Sequence, residues 1–65
     1  MIEDGRYQDK ETHCEIVEIK DGAIECVWLI AHDVNGHEYW EEQRNWDEEA
    51  YLGRMASGEF EEGDD

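Results

Sequence analysis

The chain has no proline, only five Lys and Arg, and a single serine, Ser57, among its 65 residues. With so few cations it can neutralise little phosphate, so direct binding to DNA, RNA or an anionic membrane is disfavoured. One serine near a helix end, and no phosphate loop, nucleophile elbow or metal-protease motif, leave nucleophilic and phosphoryl-transfer chemistry without its usual residues. No stretch approaches the roughly 18 apolar residues of a membrane span; the longest run is Cys26–Ala31. The opening Met-Ile-Glu-Asp-Gly is acidic where a secretory signal is basic and then apolar. The expectation is a cytoplasmic chain, with Cys14 and Cys26 as free thiols.

Acid is what the chain has in excess. Twenty Asp and Glu give a formal charge of −15. Apolar residues make up 38%, below the usual soluble range of about 45–50%. High charge with low hydrophobicity favours disorder, but three Trp, three Tyr, one Phe and a central apolar block argue for a small folded centre. The length allows one domain, 1–65, with residues 1–11 and 59–65 expected to be loosely held.

Two turn signals organise the middle. Asp21-Gly22 lies between Thr12–Lys20 and Ala23–Ala31, both rich in strand-forming residues, and predicts a hairpin with a two-residue type I′ turn. That register sets Ile19 opposite Ile24, Val17 opposite Cys26 and Glu15 opposite Trp28. One face then carries Val17, Ile19, Ile24, Cys26, Trp28 and Ile30 as the core side. The other carries Cys14, Ile16, Glu18, Glu25, Val27 and Leu29. Asn35-Gly36 predicts a third strand over 37–42, with His32 opposite Tyr39, Ala31 opposite Trp40, and Glu38 and Glu42 away from the core.

Asn45-Trp-Asp-Glu48 is a capping-box pattern. It predicts a helix from Trp46 to near Ala56 that ends at Ser57-Gly58. The predicted fold is α+β: a three-stranded antiparallel meander with one C-terminal helix over a face, β-β-β-α.

His13, Cys14, Cys26, His32 and His37 are of metal-ligating type, but their spacing fits no zinc-finger unit, so no metal or cofactor is expected. Catalysis by paired carboxylates needs a dry pocket that separates their pKa values. A core this small leaves little room for one, and no enzyme is expected. Asp47, Glu48 and Glu49 favour the positive end of a helix dipole. That leaves most of the acid unexplained, since residues 38–49 hold six acids against one base and 59–65 hold five against none.

A charge of −15 exceeds the magnitude of about 2–8 that serves solubility in a small domain. It costs stability by self-repulsion and speeds association with a cationic surface. Carboxylates recur about every 6.6–6.8 Å along one strand face and lie about 5–6 Å apart on a helix, so a rigid array of them can occupy Lys/Arg sites built for phosphate. Tyr39, Trp40 and Trp46 lie beside these acids as anchoring candidates, although the core is the expected place for at least two of them.

In size, net charge, β-rich core with one helix, and the runs Glu38–Glu49 and Glu59–Asp65, the chain resembles the small acidic DNA-mimic inhibitors of phages. These include uracil-DNA glycosylase inhibitors, anti-restriction proteins and acidic anti-CRISPR proteins. Within that group it is most similar to the acidic anti-CRISPR proteins aimed at type I Cascade complexes. The resemblance implies a phage protein acting in the host cytoplasm, which occludes the subunit that reads the protospacer-adjacent motif and performs no chemistry. The expected partner is a basic nucleic-acid-binding protein, with the chain a monomer or weak homodimer.

The expected contact set is Glu38, Glu41, Glu42, Asp47, Glu48 and Glu49, with Glu15, Glu18 and Glu25 as a second patch, each accepting from Arg or Lys. The alternative is a small interaction adaptor that uses an apolar sheet face around Trp28 and Tyr39, its acidity serving solubility.

Overall fold

Asp21 and Gly22 have φ of 54° and 78°, the two positive values that a type I′ turn requires. They close a hairpin between strands β2 (Glu15–Lys20) and β3 (Ala23–His32), with Lys20 opposite Ala23 and Ile19 opposite Ile24. Asp4 fastens this turn from outside, its carboxylate accepting from the Asp21 and Gly22 amides at 3.0 and 3.1 Å. These bonds hold the Asp4 carboxyl below its ordinary pKa. The structure is a computed structural model describing residues 2–63. Met1, Asp64 and Asp65, the last two part of the acidic terminal run, lie outside the described residues.

Beyond Ile24 the register shifts. Glu18 pairs with Cys26 rather than Glu25, so Glu25 is an extra residue in β3, a β-bulge. Because side chains alternate with period two, one extra residue transfers everything after it to the opposite face. Val17 therefore faces Val27, not Cys26, and Glu15 faces Leu29, not Trp28. The expected core face is corrected accordingly. Val27 enters the core with 0% exposure, while Trp28 and Ile30 pass to the other side.

The expected three-stranded meander is also corrected. The described residues form a five-stranded antiparallel sheet, ordered β4-β3-β2-β1-β5, with β1 at Gly5–Asp9, β4 at Glu38–Glu42 and β5 at Phe60–Glu62. The two added strands fall in the segments expected to be loosely held.

The β1–β2 connection has no glycine or proline to announce it. Asp9 builds it instead, accepting from the Glu11 and Thr12 amides at 2.8 Å each, with His13 in the left-handed region at φ 61°. β5 then pairs with β1, placing Phe60 opposite Asp9. Phe60 is 7% exposed, an apolar anchor within an otherwise acidic tail.

At the second hairpin, Asp33 donates to the His37 carbonyl and Gly36 to the Asp33 carbonyl, both at 3.0 Å, and Gly36 has φ 83°. This is a three-residue loop, a type I turn closed by a left-handed glycine. It slips the expected pairing by one residue, to Ala31 opposite Tyr39 and Ile30 opposite Trp40. The Asp33 carboxylate accepts from the Asn35 and His37 amides, which lowers its pKa.

The helix, α1, spans Glu48–Ala56 with Asp47 as its N-cap, accepting from the Ala50 amide at 3.2 Å. The cap thus lies two residues beyond the expected Asn45. Trp46 and Tyr51 take the positions of a hydrophobic staple around it, and both pack against the core. At the other end Gly58, φ 84°, donates to the Met55 carbonyl and Glu59 to Arg54. This Schellman closure ends the helix at Ser57-Gly58, as the sequence indicates. Helix residues Tyr51, Leu52 and Met55 cover the sheet face that carries Val17, Ile19, Ile24, Val27 and Phe60. Among the described residues no helix lies on the other sheet face.

Candidate functional site

The bulge at Glu25 gives the uncovered face its character. Residues paired across antiparallel strands share a side, so the registers can be followed in rows across it. One row runs Glu42, Trp28, Ile16, Gln8, Glu61; a second runs Cys26, Glu18, Arg6; two shorter rows pair Trp40 with Ile30 and Glu38 with His32. Four apolar side chains thus form a strip, in which Ile16, Trp28 and Ile30 are half-buried and Trp40 is 40% exposed. Glu18, Glu38, Glu42 and Glu61 surround it.

Two of these carboxylates are positioned by the apolar side chains they border. Glu18 Oε2 accepts from the Trp28 indole at 3.2 Å and from Arg6 Nη2 at 3.0 Å. The indole is thereby held in one orientation within the strip. Glu42 Oε2 accepts from the Cys26 thiol at 3.3 Å. Burial first, and then Glu42, Glu18 and Glu25, push the Cys26 thiol pKa up to about 11, so this cysteine is a neutral, inert donor at physiological pH. Three acids from separate parts of the chain thus act on one point of the open face. Glu18 and Glu25 also line a shallow depression with Asp4, Arg6 and Lys20.

The main set of six acids and the second patch of three are both divided by the fold. Glu18, Glu25, Glu38 and Glu42 belong to the open face. Glu41 lies opposite Leu29 on the helix-covered side. Asp47 is engaged as the helix cap, and Glu48 and Glu49 are exposed in the first turn.

Glu15 has a structural task. Arg54 grips it with two nitrogens, Nη1–Oε2 at 3.1 Å and Nη2–Oε1 at 2.9 Å, and also binds Asp9 at 2.9 Å and Glu59 at 3.2 Å. The Tyr51 hydroxyl donates to Glu15 Oε2 at 3.0 Å. The guanidinium lies 4.9 Å from the Phe60 ring centre and 5.4 Å from that of Tyr51. Its carboxylate partners raise the Arg54 pKa, Glu15 above all. Arg54 therefore ties the helix to both β1 and β2.

Core positions were expected for at least two of the three aromatic candidates, but only Trp46 packs against the core; Tyr39 and Trp40 are 46% and 40% exposed. The sequence reading sets Ile16 on the face opposite Trp28 and Ile30, because the bulge that brings them together leaves no mark in the alternation of residues, and Glu61 joins them only through the pairing of β5 with β1. Among the described residues no three His, Cys, Asp or Glu are grouped to hold a metal ion. Among the same residues no buried side-chain nitrogen or oxygen lacks a partner, and no helix is long and apolar enough to cross a membrane. Comparison with protein-family models, with curated proteins and with solved structures finds no match to this chain.

Proposed function

We propose that this chain is a non-enzymatic inhibitor that mimics the charge of DNA and occupies the Lys/Arg-lined nucleic-acid site of another protein. The observation that carries this reading is the open sheet face, where Glu18, Glu25, Glu38, Glu42 and Glu61 surround an aromatic strip on a hydrogen-bonded scaffold. Glu38 and Glu42 stand about 13–14 Å apart along one strand, and Glu18 lies two strands away, about 10 Å. These spacings suit Arg and Lys side chains spread over a phosphate-binding surface. Trp28 and Trp40 supply what scattered charge lacks, since large, pre-oriented aromatic side chains dominate binding energy at protein interfaces. The target that the resemblance implies is the motif-reading region of a type I Cascade complex.

The test uses displacement from duplex DNA. DNA-binding proteins of a host extract are loaded on a duplex-DNA resin and eluted with this protein. The expected result is selective release of one or a few proteins, lost when Glu38, Glu42 and Glu61 are replaced by Gln. Release of nothing, or equal release by the Gln variant, refutes the reading.

The adaptor reading has one observation in its favour, the continuity of Ile16, Trp28, Ile30 and Trp40. It requires that Trp28→Ala abolish partner binding while the Gln variant binds normally.

A further inference from the structure

We propose that the outer edge of β4 adds a strand supplied by the partner, and that this strand carries cations at alternate positions. The inference rests on the reading of the partner as a cationic protein and specifies how that partner is held.

The hydrogen-bond register identifies the free groups. Gln43 donates to the Val27 carbonyl at 2.8 Å and Asp33 to the His37 carbonyl at 3.0 Å, so the odd-numbered residues of this strand bond to β3. In an antiparallel ladder the direction alternates. The backbone N–H and C=O groups of Glu38, Trp40 and Glu42 therefore point outward from the sheet. β4 is the terminal strand of the order, and all five of its residues are exposed.

The residues with outward backbone groups are also those whose side chains lie on the open face, since Glu42 pairs with Trp28, Trp40 with Ile30 and Glu38 with His32. An added antiparallel strand sets one residue opposite each of them on that same face. Cations opposite Glu38 and Glu42 and an apolar side chain opposite Trp40 complete the match. A second copy of this chain is disfavoured by the same geometry. Self-pairing of β4 about Trp40 sets Glu38 against Glu42 twice, and like charges directly opposite destabilise a pair. Acidic side chains thus keep the edge from its own kind while suiting it to a basic strand, a mode in which the main chain gives affinity and alternate side chains give specificity.

The probe is a capped peptide of sequence lysine-threonine-valine-threonine-lysine, titrated into the isotope-labelled protein at low salt. Its counterpart carries an N-methyl group on the valine, which removes one ladder donor and keeps every charge. The proposal expects amide exchange at Glu38, Trp40 and Glu42 to slow on binding, and the methylated peptide to bind about tenfold more weakly, the worth of one hydrogen bond at the upper end of its usual range. Equal binding of the two peptides without slowed exchange overturns strand addition and leaves the cationic-partner reading standing. If neither these peptides nor polylysine binds at low salt, both fall.

Discussion

Replacing Arg54 by methionine removes the side chain that joins α1 to Asp9 and Glu59 and, beside the Tyr51 hydroxyl, to Glu15. Complete burial would make the loss about 3–5 kcal/mol, because the remaining carboxylates would be left uncompensated. Full exposure would make it about 0–1 kcal/mol. The Arg54 side chain is 30% exposed, Glu15 22% and Asp9 7%, which places the cost at about 2–3 kcal/mol between those limits. A chain of this size has about 3–10 kcal/mol in total, so the variant should be close to unfolding. Urea denaturation followed by tryptophan fluorescence should show the midpoint falling by about 2–3 M, given a slope near 1 kcal/mol per M. Adding Glu15→Gln to the variant should recover part of the loss, since it removes a stranded carboxylate. The sign with pH follows from Asp9, whose pKa is lowered by the Thr12 amide first, and then by the Glu11 amide and Arg54. Its contribution is present above the ordinary carboxyl value of 3.8 and is lost as pH falls through the depressed folded value. A midpoint shift under about 0.5 M would refute the view that this cluster holds the helix to the sheet.

Deleting Glu25 removes the bulge, returns Trp28 and Ile30 to the helix side and expels Val27. The expected outcome is loss of the cooperative thermal transition, whereas Glu25→Ala should retain it. At pH 8 a thiol reagent should modify Cys14, which is exposed, and spare Cys26 until urea unfolds the chain; equal reactivity of the two in the folded protein would contradict the raised pKa. Added salt should raise the melting temperature, because screening relieves the repulsion of a net −15 more than it weakens a few ion pairs.

Local turn chemistry made much of the fold legible. Asp21-Gly22 specifies its turn type, and Ser57-Gly58 its helix end. Asn35-Gly36 marks a hairpin correctly, but a glycine there serves either a two-residue or a three-residue loop, and the two differ by one residue of register. Asn45 and Asp47 are both good caps, and the choice between them turns on the packing of Trp46 against the core. Strands β1 and β5 were illegible because neither has its own apolar alternation. Arg6-Tyr7-Gln8-Asp9 becomes a strand through the turn that the Asp9 carboxylate organises, and Phe60-Glu61-Glu62 through one aromatic side chain. The open sheet face is legible only in part for a related reason. Glu38 and Glu42 were assigned to the side away from the core, where they lie, but Trp28 and Ile30 change sides at a bulge that tertiary pairing creates.

The most direct measurement is the affinity of the protein released from duplex DNA for this chain as a function of salt, with the wild type beside the Glu38, Glu42 and Glu61 to Gln variant. Mimicry of a phosphate surface predicts an affinity falling steeply, tenfold or more between about 50 and 200 mM salt, with a shallower slope for the variant. An affinity that does not change with salt, and that Trp28→Ala alone abolishes, would contradict it.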